Sequence, residues 1–281
     1  MQTVDNMSLF ERTLMFYKEG GLFKLVKAFI KYTRNSRLWE LQWKLRLRYY
    51  LLRGKRTFSI GGVRTTIRLN QYKDGWESNF AYKTEHLVME EVLKELKPND
   101  VFWDVGASFG FYSLLAASCA SAVVMAFEPH PITVERLAKN IELNRKSNIQ
   151  ILQLALSDSK GKTRFNMIDS DINPGSSHLA TDEINGTIEV ETSRGDDLIE
   201  NGTVPKPDII KIDVEGAEHL VIKGMQSALP SCRVLFCEVH PNIRKYGSSA
   251  EDLEKILKNT GFRIEKIQER FDDTYHLKAR R

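Results

Sequence analysis

With 281 residues, 42% of them hydrophobic and 28% charged, the chain has the makeup of one large globular domain or two small ones, not of a disordered segment. Seventeen glycines and eight prolines exclude collagen-like and low-complexity architectures; three cysteines without a CxxC pair exclude a disulfide scaffold or thiolate zinc site and point to a reducing compartment. The net charge of +4 is uneven, because residues 18–56 carry twelve Lys and Arg against Glu19 and Glu40, leaving the remainder acidic.

The chain begins MQTVDNMSLFER, with acids where a signal peptide would be basic, so a cytoplasmic location is expected. Within 18–56, Leu22, Leu25, Val26, Phe29 and Ile30 recur at helical spacing, with Lys24, Lys27 and Lys31 off that stripe. The run LQWKLRLRY from Leu41 to Tyr49 alternates strictly, and helix and strand are not separable there. Two readings stand for this basic, aromatic stretch. One is a peripheral contact with an anionic membrane on its inner face; the other is an apolar face packed on the core with solvated charges. Nucleic acid is not expected as a partner.

Residues 57–70 read as a hairpin turning at Gly61-Gly62, and a helix is expected from Lys83 to Leu96, before Pro98. Short apolar strands then alternate with helices, the signature of a parallel sheet. The expected strands are 101–105, 123–127, 149–156, 209–214 and 234–239, with helices at 110–120, 131–145 and 216–228. The 23 residues between Asp104 and Glu128 carry no charge but contain Gly106, Gly110 and several serines, so they read as loop, helix and strand of a core rather than a membrane span. Residues 159–205 form a polar insertion with one strand at 187–192, and its His178 reads as a solvated loop residue. Cys232 and Cys237 flank an apolar run and read as buried thiols. Ser248 and Glu251 suggest a capping box for a helix ending at Gly261, followed by an antiparallel pair, 262–267 with 274–279.

The first strand and its turn carry the chemistry. In VFWDVGASFGFYS a strand ends in Asp104, and Gly106, Ala107 and Gly110 lead into a helix; the next strand ends in Glu128, placed for a ribose diol. The turn lacks the third glycine of a dinucleotide site, and no GKS or GKT follows it. A carboxylate at Asp104 repels a diphosphate and attracts the ammonium end of S-adenosylmethionine (SAM), which favours SAM over a nicotinamide dinucleotide.

The runs DVGASFGFYS, FEPHP, LALSD, RGDDL, IIKIDVEGAE and CEVHP, in this order over about residues 85–245, resemble the FkbM family of SAM-dependent methyltransferases. Ser108 stands where that family has Asn, and its LDDL is Gly195-Asp196-Asp197-Leu198 here. The resemblance implies an α/β, Rossmann-like class I methyltransferase fold, a doubly wound, mostly parallel sheet with a reversed last strand. It implies SAM as cofactor and a hydroxyl of a small molecule or glycan, a sugar above all, as acceptor. It places Asp104, Gly106 and Gly110 at the methionine end, Glu128 at the ribose and Asp158 at the adenine amino group, with Asp213 and Glu215 facing the methyl.

Methyl transfer to an alcohol needs alignment and a proton acceptor, the latter worth about 10²–10⁴ in rate. Asp213, Glu215 and His240 lie at carboxyl ends of neighbouring strands, where ligands of such sheets bind. Asp213 is the expected base and His240 the second choice, with Glu215 a rival cap for the helix at Gly216. Lys211 and Glu238, inside apolar strands, are expected to pair with each other. No metal is expected, because the spacing of Asp197, Asp213 and Glu215 does not support one. The expected parts are a basic extension (1–56), a hairpin and helix (57–97) and the methyltransferase domain (98–281). A nicotinamide-dependent oxidoreductase and a non-catalytic membrane-surface or nucleic-acid module are the alternatives.

Overall fold

The structure, a computed structural model, describes residues 37–119, 121–166, 187–270 and 273–281. The apolar stripe of residues 22–30 and His178 lie outside the described residues. Two compact units are present, one ending at Arg53 and one beginning at Gly54. The first contains α1 (Arg37–Leu52), which resolves the ambiguous alternating run as helix. Its Leu, Arg, Lys, Gln and Glu residues, uninterrupted by Gly or Pro, favour that outcome. No helix among the described residues is long and apolar enough to cross a membrane.

The second unit opens with the expected hairpin, β1 (Lys55–Ile60) and β2 (Val63–Arg68), followed by α2 (Tyr72–Thr84) and α3 (His86–Glu95). The alternation of β3 (Val101–Val105), α4 (Phe111–Cys119), β4 (Val123–Phe127), α5 (Pro131–Leu143) and β5 (Ile149–Leu152) follows the sequence pattern. Beyond them come β9 (Ile209–Ile212), α7 (Glu218–Lys223), β10 (Val234–Val239), α8 (Ala250–Asn259), β11 (Arg263–Glu269) and β12 (Tyr275–Arg280).

Seven strands form one sheet in the order β11-β12-β10-β9-β3-β4-β5. Pairs β10/β9, β9/β3, β3/β4 and β4/β5 are parallel, and β12 is antiparallel to both of its neighbours. This is the class I methyltransferase arrangement, with the last strand reversed and inserted beside β10. Covered on both faces, β9 and β10 are buried along their whole lengths, hence their near-continuous apolar sequences. Trp103, Phe127, Ile210, Ile212, Leu235 and Leu277 belong to the central core. Of the three thiols, Cys232 and Cys237 are buried as expected, Cys237 within β10.

Several boundaries differ from expectation. The strand read over 149–156 breaks after Leu152; β6 (Ala155–Leu156) leaves for a small sheet of order β6-β8-β7, with β7 (Gly161–Asn166) and β8 (Thr187–Ser193). A short α6 (Gly195–Glu200) follows. The helix expected over 216–228 is only α7, closed by Gly224. The cap of α8 is Ser249, one residue later than read, whose Oγ accepts from Asp252 N at 3.1 Å.

The hairpin and α2 are held against the core by polar side chains of α5. Asn140 Oδ1 accepts from Arg68 N at 2.8 Å, Asn144 Oδ1 accepts from Thr66 N at 2.9 Å, and Asn144 Nδ2 donates to Thr66 O at 2.6 Å. These bonds satisfy the outer edge of β2, which has no further strand beside it. Asn140 Nδ2 also donates to Phe109 O at 2.8 Å, joining the hairpin to the glycine turn. Arg136 pairs with Asp74 at 3.0 Å and with Glu77, fixing the start of α2. Replacing Asn140 by Ala strands the part-buried Arg68 N–H and the buried Phe109 C=O, and urea unfolding is expected to lose about 1–3 kcal/mol. A loss below about 0.5 kcal/mol would show that water replaces both bonds.

Candidate active site

A cleft of about 500 Å³ opens at the carboxyl ends of β3, β4, β9 and β10, roofed by α2. Its floor over β3 and β4 is the turn Gly106–Gly110. Gly106 N and Ala107 N both donate to Phe127 O at 3.0 Å, and Ser108 is left-handed at φ 50°. A Cβ on Gly106 would lie 1.8 Å from Asp213 O, and one on Gly110 would lie 2.3 Å from Leu137 Cδ1. These glycines therefore seat the turn against β9 and α5. This packing by itself requires glycine at both positions.

Glu128, at the end of β4, lines the cleft and is locked by two backbone donors, Ser108 N at 3.0 Å and His130 N at 2.9 Å. Burial pushes its carboxyl up to about 7 against both bonds. Asp104 is 1% exposed and sits behind the turn rather than in the cleft wall. Its Oδ2 accepts from Ser113 Oγ at 2.5 Å, while Oδ1 is buried without a partner. Burial raises its pKa and the Lys211 charge opposes that rise. Asp158, given an adenine role by the resemblance, is exposed and does not line the cleft. At Ser157 the chain joins the small sheet (Ser157 N to Ser193 O, 2.9 Å), which turns Asp158 to solvent. Leu154, Ala155, Leu156 and Phe165 line that side instead, an apolar wall suited to a planar ring.

Over β9 and β10 the cleft is densely charged. Lys211, 3% exposed, donates from Nζ to Asp213 Oδ2 at 2.8 Å and lies 4.5 Å from the Tyr112 ring centroid. Burial alone would lower its pKa, but Asp213, Glu85 and Asp104 reverse that and raise it. The expected Lys211–Glu238 pair does not form. The register sets Lys211 beside Phe236, leaving Glu238 two residues further along, where Arg270 Nη1 donates to its Oε1 at 2.6 Å. His276 Nε2 lies 3.2 Å from Glu238 Oε2 without hydrogen-bond geometry.

The structure brings Asp213, Glu215 and His240 together. His240 Nε2 is 3.5 Å from Glu215 Oε2, 3.7 Å from Glu238 Oε1 and 3.9 Å from Asp213 Oδ1. Its Nδ1 meets Glu218 Oε1 at 2.7 Å. Burial would lower its pKa, but Glu218, Glu215 and Asp213 together push it up to about 10. At neutral pH it is an imidazolium, and this corrects its expected standing as second-choice base. Glu218, which the sequence reading passed over, also takes the cap role considered for Glu215, since its Oε1 accepts from Gly216 N at 2.8 Å. Glu215 itself is left-handed at φ 56° and reaches into the cleft.

Asp213, Glu215 and His240 offer ligand atoms within 4.8 Å of one another, as do Glu85, Glu238 and His276. Lys211 and Arg270 already supply positive charge to these carboxylates. Sequence reasoning also missed Trp76, Phe80, Glu85, Tyr112 and Arg270, all of which line the cleft. The only trace of them was the aromatic pair four residues apart in WESNF.

Six carboxylates (Glu77, Glu85, Glu128, Asp213, Glu215, Glu238) line the cleft against Lys211, Arg270 and His240. Each positive group already lies against an acid, Lys211 on Asp213, Arg270 on Glu238 and His240 on Glu218, which opposes a pyrophosphate. Burial, which outweighs each neighbouring charge, pushes Glu85 to about 7 and Glu215 to about 8 from an ordinary 4.5. Between pH 4.5 and 8 the folded state therefore holds more protons at these carboxylates and Glu128 than the unfolded chain does. Stability falls as pH rises through that window. His240 acts in the same direction, its contribution complete below 6.5 and lost as pH rises through about 10. The expected outcome is a melting temperature that drops by at least about 5 °C from pH 6 to pH 9 at constant ionic strength. A melting temperature that rises over this interval contradicts the assignment of these buried charges.

The methyltransferase FkbM domain matches residues 104–264, more than half of the chain. The chain is 36% identical over 173 residues to the hexuronic acid methyltransferase AglP of Haloferax volcanii, covering 62% of this chain and 67% of that protein. It is 29% identical over 200 residues to the 31-O-demethyl-FK506 methyltransferase FkbM of Streptomyces tacrolimicus (60% and 75%). With the 2-O-methyltransferase NoeI of Sinorhizobium fredii it shares 26% over 190 residues (61% and 75%). These matches set aside the nicotinamide-dependent alternative, and with it the non-catalytic one. A sheet of this order, an acidic cleft at its carboxyl ends and this match have one common account: the chain belongs to the FkbM methyltransferase family and is a SAM-dependent methyltransferase.

Proposed function

We propose that this enzyme transfers a methyl group to a hydroxyl of a sugar or another small polyol, with SAM held over β3 and β4 and the acceptor over β9 and β10. The observation that carries the reading is the division of the cleft. One half combines Glu128 with the apolar wall of Leu154, Ala155 and Leu156; the other collects Asp213, Glu215 and His240. The names of the relatives support this reading: two denote a 31-O-demethyl-FK506 methyltransferase and a 2-O-methyltransferase, which supports an oxygen acceptor, and one denotes a hexuronic acid methyltransferase, which supports a sugar.

When bound, SAM supplies a methyl group already activated by its sulfonium. Glu128, its carboxylate fixed by two backbone N–H groups, accepts hydrogen bonds from the ribose hydroxyls. The Gly106–Gly110 turn holds the methionine portion, and Asp104 acts from behind it by charge, with its unpartnered Oδ1. Lys211 and Arg270 are engaged by Asp213 and Glu238, so a phosphate-bearing ligand would find no counter-charge left for it on this floor.

Asp213 accepts the acceptor's proton. Its Oδ2 is tied to Lys211, while Oδ1 lies 3.9 Å from His240 Nε2, beyond hydrogen-bond reach, and so keeps lone pairs for a hydroxyl. Bound SAM would supply the methyl carbon and its sulfur would leave with the bonding electron pair, while Asp213 would take the proton of the attacking hydroxyl. The Lys211 bond keeps Asp213 oriented between turnovers.

Two variants test the assignment. Glu128→Ala is expected to weaken S-adenosylhomocysteine binding at least about tenfold by calorimetry; unchanged affinity removes its ribose role. Asp213→Asn is expected to keep that affinity within about threefold and lower turnover about 10²–10⁴-fold. Turnover is read as radiolabelled methyl transfer to whichever member of a glycoside and polyol panel the parent enzyme accepts. Retained turnover removes Asp213 as base.

A further inference from the structure

Trp76 and Phe80 lie one turn apart on α2, at the edge of the acceptor half of the cleft. Their rings are nearly parallel, 11° apart with centroids at 5.2 Å, and remain 42% and 38% exposed. Arg270 joins this pair to the cleft floor. Its guanidinium carbon is 5.4 Å from the Phe80 centroid, and its Nη1 donates to Glu238 Oε1. The exposed indole thus adjoins a floor rich in hydrogen-bond acceptors. Glu85, whose Oε2 accepts from Tyr112 Oη at 2.9 Å, lies on that floor with Glu238.

We infer that Trp76 is the platform for a neutral pyranose ring, and that this stack selects neutral sugars as acceptors. The inference rests on the proposed transfer to a hydroxyl and names the class of compound that bears it. A pyranose has a face of C–H groups that packs on an aromatic ring and a rim of hydroxyls that donate to carboxylates. A wholly apolar ring would fill the same space but leave Glu85, Tyr112 and Glu238 without replacements for lost water, which costs affinity. The carboxylate of an acidic sugar would find the positive groups of the floor already engaged, Lys211 by Asp213, Arg270 by Glu238 and His240 by Glu218. Phe80 holds the indole in place, and Arg270, engaged by Glu238, stiffens the far side of the stack.

Saturation-transfer NMR on the full chain with bound S-adenosylhomocysteine tests this. The probes are the methyl pyranosides of glucose, galactose and mannose, together with methyl glucopyranosiduronate. At least one neutral pyranoside is expected to receive saturation mainly on the C–H protons of one ring face. Its affinity is expected to fall about tenfold in Trp76→Ala and to recover to within about threefold in Trp76→Phe. S-adenosylhomocysteine affinity is expected to stay unchanged in both variants. The inference is overturned by transfer to none of the neutral pyranosides, by tighter binding of the uronate, or by Trp76→Ala binding the sugar as the parent does. A loss of S-adenosylhomocysteine binding in the parent itself would instead overturn the cofactor reading, and the two failures are separately visible.

Discussion

The buried Lys211–Asp213 pair is the contact on which the site depends. A lysine in the middle of β9, 3% exposed, must be neutralised or it destabilises the sheet. Asp213, two residues on, does this with a bond of 2.8 Å. The same bond fixes a carboxylate at the mouth of the cleft. Around it Glu85, Glu215, Glu218 and Glu238 are gathered near one another, with His240 and Arg270 beside Lys211 as positive partners. Such a nest is costly in a ligand-free protein and becomes less so when a cation enters.

The scaffold around the nest explains why it stays open. The glycine turn is pressed against β9 and α5 so closely that neither Gly106 nor Gly110 has space for a side chain. The hairpin is joined to α5 through Asn140 and Asn144, and α2 through Arg136. The roof of the cleft thus hangs from the helix that follows β4, and the cofactor wall and acceptor roof share one support. The small sheet β6-β8-β7 closes the remaining side, presenting Leu156 and Phe165.

The parallel sheet was legible because β3, β4, β9 and β10 are buried on both faces and carry unbroken apolar runs. The motifs at their ends located Glu128, Asp213, Glu215 and His240, since chain order and strand ends are properties of the sequence itself. What was not legible depended on register or on tertiary contact. Lys211 and Glu238 looked like partners on adjacent strands, but a two-residue offset along the pair gives each a different one. Asp158 looked like part of a strand end until the chain's departure into a second sheet turned it outward. Glu218 read as an ordinary helix residue, and only the fold brings it to His240. Helix α2 was missed because Gly75, Asn79 and Thr84 weaken its helical signal, and its stability comes from Arg136 and the core instead.

The most direct measurement is a crystal structure of the protein grown with S-adenosylhomocysteine. The account predicts density for the ribose hydroxyls against the Glu128 carboxylate, the adenine beside Leu154 and Leu156, and the sulfur directed toward Asp213. A ligand bound elsewhere, or one whose ribose leaves Glu128 untouched, would contradict it.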